Sequence, residues 1–158
     1  MAEPLADRVI RRIGQAAELY HRLVVLVAPA GSGKTAALQD VHERTAAPLV
    51  NVNLELSRRM LDLTERQRAL QLPLLLGEIV SEATGDLVLL DNIEILFDVH
   101  LKQDPLRLLQ GLSRNKTVVA AWNGSIVDAH MTNAVPDPPE YRRYPIRDFL
   151  VASPEVTT

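Results

Sequence analysis

The chain has 158 residues, which by length is one domain, long enough to bury a core of its own. With 17 Lys and Arg against 20 Asp and Glu, its net charge of −3 gives no global attraction to nucleic acid. There is no Cys, which excludes disulfides and thiolate metal sites, and His21, His42, His100 and His130 are scattered without ligand spacing.

In chain order, residues 4–20 read as a helix. Pro4 suits a first turn, and Leu5, Val9, Ile13, Ala16 and Tyr20 recur at helical spacing. Arg8, Arg11 and Arg12 fall on the other face, which reads as solvated. Residues 23–28 are apolar throughout and read as a central parallel strand. A glycine-rich turn follows, then a helix from Lys34 to about Ala46, ended by Pro48. Leu49 to Leu54 reads as a second strand. Ser57 is placed to cap a short helix through Leu63, and Thr64-Glu65-Arg66-Gln67 is a capping box opening another. Pro73 is expected to kink or restart that helix, whose buried stripe is Leu72, Leu75, Leu76, Ile79, Val80 and Ala83.

Gly85-Asp86 marks a turn, and Leu87 to Leu90 reads as a strand running into Asp91. Residues 105–113 read as a helix with Pro105 at its start, and Thr117 to Ala121 as a buried strand leading to Trp122-Asn123-Gly124. Residues 125–135 read as a short helix, and Val135 to Pro139 as a loop, since three prolines exclude a regular element. Ile146 to Val151 reads as the last strand. The expected domain is 1–152, with a disordered tail over 153–158. Apolar strands alternating with helices predict an α/β fold with a mostly parallel sheet, right-handed crossovers and a ligand at the carboxyl ends of the strands. No apolar run reaches the ~18 residues of a membrane span, and the N-terminus lacks a signal-peptide core, so a soluble, cytoplasmic protein is expected.

The chemistry concentrates at Ala28-Pro29-Ala30-Gly31-Ser32-Gly33-Lys34-Thr35. Strand, glycine turn and helix form the context that a phosphate-binding P-loop (Walker A) requires, with Ala28 where the pattern has Gly. Gly31 and Gly33 permit backbone conformations that a β-carbon hinders, so that loop N–H groups converge on anionic oxygens. Lys34 can reach β- and γ-phosphates, and Thr35 can offer its hydroxyl to Mg²⁺. Asp91, at the end of a buried strand, suits the Mg²⁺-holding carboxylate of a Walker B site.

The segment Leu89-Leu90-Asp91-Asn92-Ile93-Glu94-Ile95-Leu96-Phe97 resembles the Walker B segment of AAA+ proteins, in which Asp-Glu precedes Ile, an acid, any residue, Leu and Phe. The resemblance covers about residues 5–150. It implies an AAA+-like P-loop three-layer sandwich with ATP and Mg²⁺ as cofactors. The chain stops where an AAA+ helical lid would begin, so no lid domain is expected. Asn92 departs from the family, which usually has there the glutamate that polarises water; an amide cannot act as a general base. Glu94 is the nearest replacement, and a helical turn would put it on the side of Asp91. The alternative is that Glu94 makes only a structural contact. Asn123 sits where AAA+ proteins carry the sensor-1 residue, although Asn123-Gly124 is also a turn signal. Arg142 and Arg143 occupy the region of the arginine that reaches a neighbouring subunit's γ-phosphate. A plain surface role beside a loop is the alternative for those two, and Arg114, which precedes the sensor-1 strand, is the runner-up.

The chain also resembles the BrxF family, small P-loop proteins of type III BREX phage-resistance systems. That resemblance implies a bacterial defence role with other BREX proteins as partners: methyltransferase, phosphatase-like and larger ATPase components. The resulting expectation is an ATP-binding AAA+-like protein with slow or partner-stimulated hydrolysis and nucleotide-dependent self-association. A non-hydrolysing nucleotide-binding assembly module is the alternative. A small P-loop kinase is disfavoured, because there is no arginine-rich lid insertion and no acceptor-binding motif. DNA contact is not indicated by the charge.

Overall fold

Strand β1 (Leu23–Ala28) is apolar and buried at every position, as a strand between two helical layers must be. The computed structural model describes residues 3–133 and 142–154. The expected proline loop over 135–139 and the end of the expected tail, 155–158, lie outside the described residues.

Around β1 the chain forms α1 (Leu5–Ala16), α2 (Lys34–Thr45), β2 (Leu49–Asn51), α3 (Val52–Arg59), α4 (Glu65–Glu82) and β3 (Leu87–Asp91). Two 3₁₀ turns follow, Glu94–Phe97 and Val99–Leu101, and then α5 (Pro105–Leu112). The remaining strands are β4 (Thr117–Val127), β5 (His130–Asn133), β6 (Arg143–Pro145) and β7 (Leu150–Ala152). The main sheet runs β2-β3-β4-β1-β7, with every pair parallel. Val24 and Leu26 of β1 pack with Val9 of α1 and Leu38 and Val41 of α2. Leu23, Val25 and Val27 face the other layer, with Leu56 of α3, Leu72 and Leu76 of α4 and Leu109 of α5. The fold is therefore α/β in three layers, and the order of strands sets β4 between β1 and β3.

Several local expectations are corrected. The second strand stops at Asn51, not Leu54, because the Asn51 side chain accepts the Leu54 N–H at 3.0 Å and caps α3. Ser57 consequently lies inside α3 rather than at its start. Pro73 neither restarts nor splits α4. It has no N–H for the Ala69 carbonyl, and the Gln103 side chain supplies a donor there at 2.7 Å. Thr64 and Gln67 do form the capping box.

The expected helix over 125–135 is a β-hairpin. Strand β4 outruns its parallel partners at Asn123 and continues as Gly124–Val127, antiparallel to β5. The two-residue turn Asp128-Ala129 has φ of 51° and 59°, the left-handed pair that matches strand twist. Of the expected last strand over 146–151 only Leu150 and Val151 are strand, as the start of β7; β6 ends before it at Pro145, and Asp148 at φ 65° turns the chain between the two. Finally, the α1 arginines are not a purely solvated face. Arg8 donates to the Ser153 carbonyl at 2.6 Å and Arg12 to that of Val151 at 3.1 Å, tying the short strand β7 to α1. Arg11 is exposed and pairs with Glu3 at 2.6 Å.

Candidate functional site

The carboxyl ends of β1, β4 and β3 lie side by side, and the chain leaves each through a polar segment. After β1 the loop turns at Gly31 (φ 78°) and Gly33 (φ 94°), left-handed conformations that glycine adopts without strain. Ser32 donates its hydroxyl to the Pro29 carbonyl and closes the loop on itself. Gly33 is the N-cap of α2, and no side chain caps that helix. The first N–H groups of α2 therefore face the loop, where the helix dipole favours an anion.

Lys34 is only 7% exposed. Its Nζ donates to the carbonyls of Ala28 at 2.9 Å and Pro29 at 2.8 Å. Burial lowers its pKa from the ordinary value of 10.5, and the nearby carboxylates of Asp91 and Glu94 oppose that shift. This electrostatic proximity also brings Glu94 into the neighbourhood of the loop.

Thr35, on the first turn of α2, donates its hydroxyl to Asp91 Oδ2 at 2.8 Å. The other Asp91 oxygen accepts the N–H of Asn92 at 2.9 Å. Asn92 has φ 54°, and its carbonyl accepts the N–H of Asn53 in the first turn of α3 at 2.9 Å. The anticipated helical turn from Asp91 to Glu94 does not form, because the 3₁₀ turn starts only at Glu94. Glu94 still reaches the site, and its Oε1 accepts from Asn123 Nδ2 at 3.0 Å.

Asn123 is a strand residue in register with Ala28, so the turn alternative for Asn123-Gly124 is ruled out. The glycine has another purpose. A Cβ at 124 would sit 1.7 Å from the Thr132 carbonyl oxygen, which also accepts from Trp122 Nε1 at 3.0 Å. Trp122 is fully buried and packs edge-on against Phe97 and Tyr144. These contacts fasten the hairpin beside the site.

The structure thus gathers Lys34, Thr35, Asp91, Glu94 and Asn123, together with loop residues 28–33. The three arginines lie elsewhere. Arg142 turns its guanidinium onto its own chain, donating from Nη2 to the Gln103 carbonyl at 3.1 Å, while its buried Nε has no partner among the described residues. Arg143 is exposed on β6. Arg114 precedes β4, at the amino-terminal end of that strand and away from the carboxyl ends, and lies over the Tyr20 ring at 5.1 Å. Two residues were missed in the sequence, Asn51 and Asn53, whose backbone and side chain link α3 to the ends of β2 and β3. An Asn three residues before Leu54 was the available capping signal.

Among the described residues, no three His, Cys, Asp or Glu side chains are grouped to hold a metal. Thr35 and Asp91 together present two hard oxygens. That fits Mg²⁺, which takes one or two protein ligands and completes its shell with waters and phosphate oxygens. Compared with known proteins, the chain matches no family model, no curated protein and no solved structure.

Proposed function

We propose that the chain binds Mg-ATP on the residue 28–35 loop and hydrolyses it slowly. The observation that carries this reading is the 2.8 Å bond between Thr35 and Asp91. It joins a hydroxyl at the start of α2 to a carboxylate at the end of β3, across the intervening strand β4. A glycine turn alone has no use for that convergence.

The loop N–H groups would cradle the phosphates, and Lys34 would leave its two carbonyls to donate to them. Charge-assisted hydrogen bonds of roughly 1.5–3 kcal/mol each favour that exchange over two neutral acceptors. Thr35 and Asp91 would hold the metal, which when bound neutralises charge on the β- and γ-oxygens. Glu94 is the proton acceptor for an attacking water. Asn123 holds one Glu94 oxygen and leaves the other free to do so.

We further propose that nucleotide supports self-association, with Arg143 as the residue that reaches a neighbouring copy's phosphate. Arg142, tied to Gln103, is the weaker candidate. The resemblance to the BrxF family is the support for a role in a bacterial phage-defence complex with other BREX proteins. The absence of a glutamate at position 92 favours one second reading, a nucleotide-binding assembly module without turnover.

Calorimetric titration with Mg-ATP and phosphate release by the pure protein test both readings. Binding with slow release supports the first, and binding with no release supports the second. No binding by wild type, or equal binding by Lys34→Ala, would remove the site. Sedimentation with and without Mg-ATP tests assembly, and an Arg143→Ala variant that binds ATP and assembles like wild type would refute the finger.

A further inference from the structure

We infer that the left-handed backbone at Asn92 is what delivers Glu94 to the site, so that Asn92 is a positioning residue rather than a lost catalytic acid. The inference rests on the proposed nucleotide reading of the 28–35 loop. At φ 54°, position 92 occupies a region that Asn enters more readily than most residues with a β-carbon. A glutamate there would be strained, which accounts for the departure at this position in conformational terms.

Both backbone groups of Asn92 are in use. Its N–H donates to Asp91 Oδ1 at 2.9 Å, and its carbonyl accepts from Asn53 at 2.9 Å. Its side chain makes no hydrogen bond among the described residues, so the backbone carries the role. The turn then buries Ile93 (2% exposed) and Leu96 in the core. With those two anchored inward, Glu94 lies where Asn123 Nδ2 reaches it at 3.0 Å. An extended or helical Asn92 would lose the Asn53 bond and shift that register.

The consequence is that restoring a glutamate directly after Asp91 does not improve the enzyme. The test compares Asn92→Gly, Asn92→Ala and Asn92→Glu with wild type in three measurements: Mg-ATP affinity, kcat for phosphate release, and hydrogen exchange of the Asn53 amide. Alanine and glutamate are expected to lower kcat about tenfold, the equivalent of the left-handed strain. They also speed Asn53 exchange and leave Mg-ATP affinity within about threefold. Glycine, which accepts the conformation without a side chain, is expected to rescue kcat and the slow exchange. A kcat above wild type in Asn92→Glu, an unchanged kcat in Asn92→Ala, or a glycine variant as impaired as alanine would overturn the inference alone. No Mg-ATP binding by wild type would overturn it together with the reading beneath it.

Discussion

Gly124→Ala is the sharpest test of how the site is supported. The added Cβ would stand 1.7 Å from the Thr132 oxygen and 2.8 Å from its carbonyl carbon. An ordinary carbon–oxygen contact is roughly 3.3 Å or more, so β5 must recede by about 1.6 Å. That movement takes the Thr132 carbonyl away from Trp122 Nε1, now 3.0 Å distant, inside a fully buried pocket. Leaving a buried donor unsatisfied costs about 1–3 kcal/mol, and overpacking adds about 1–3 kcal/mol. A total near 3 kcal/mol corresponds to a melting temperature lower by roughly 6–12 °C for a domain of this size. Thermal unfolding by circular dichroism measures it. Trp122 is the single tryptophan, so its fluorescence reports on the same contact, and a red shift is expected. Asn123→Ala, one residue earlier and free of any backbone clash, is the control and should shift the midpoint far less. A Gly124→Ala protein melting within about 2 °C of wild type with unchanged fluorescence would refute the close approach of β4 and β5.

Three further outcomes follow from the site itself. Lys34→Ala should abolish Mg-ATP binding by calorimetry while leaving the far-ultraviolet spectrum intact, although the Lys34 side chain is buried. Glu94→Gln should lower kcat by about 10²-fold or more with little change in affinity, because an amide binds Asn123 but takes no proton; equal kcat would remove Glu94 as the base. Burial places the Lys34 pKa below 10.5, so its ammonium is lost before that pH in the free protein, and Mg-ATP affinity should weaken as pH rises toward 10.5. Lys34→Arg, charged throughout, should show a flat profile over the same range, and a wild type equally flat would contradict that cause.

The layered fold was legible because its signals are long and local. Leu23–Ala28 and Leu87–Leu90 are unbroken apolar runs, and Thr64-Gln67 is a reciprocal cap whose partners lie in the sequence itself. The errors fell where a distant group decides. Pro73 breaks a helix unless something serves the orphaned Ala69 carbonyl, and Gln103, far along the chain, does so. The hairpin after Asn123 was hidden because its turn is Asp128-Ala129, with no glycine to announce two left-handed residues. Asn51 read as a strand residue because its side chain competes for the backbone N–H of Leu54 only once α3 begins.

The site was legible as a set of residue types but not as a wiring. Loop, threonine and aspartate follow from spacing, and the 2.8 Å Thr35–Asp91 bond is what that spacing anticipates. Asn92 is different, because its meaning lies in a backbone angle that no residue pattern displays. Seen as a letter, it is a missing glutamate. Seen at φ 54°, it turns the chain between two anchored ends, Asp91 on the loop side and Asn53 on the α3 side. The acid that Asn123 meets is then the one two residues later, after Ile93 has entered the core. On the proposed nucleotide reading, the carboxylate that takes the proton need not directly follow Asp91. The backbone turn at Asn92 precedes that carboxylate, and the Asn123 amide holds it.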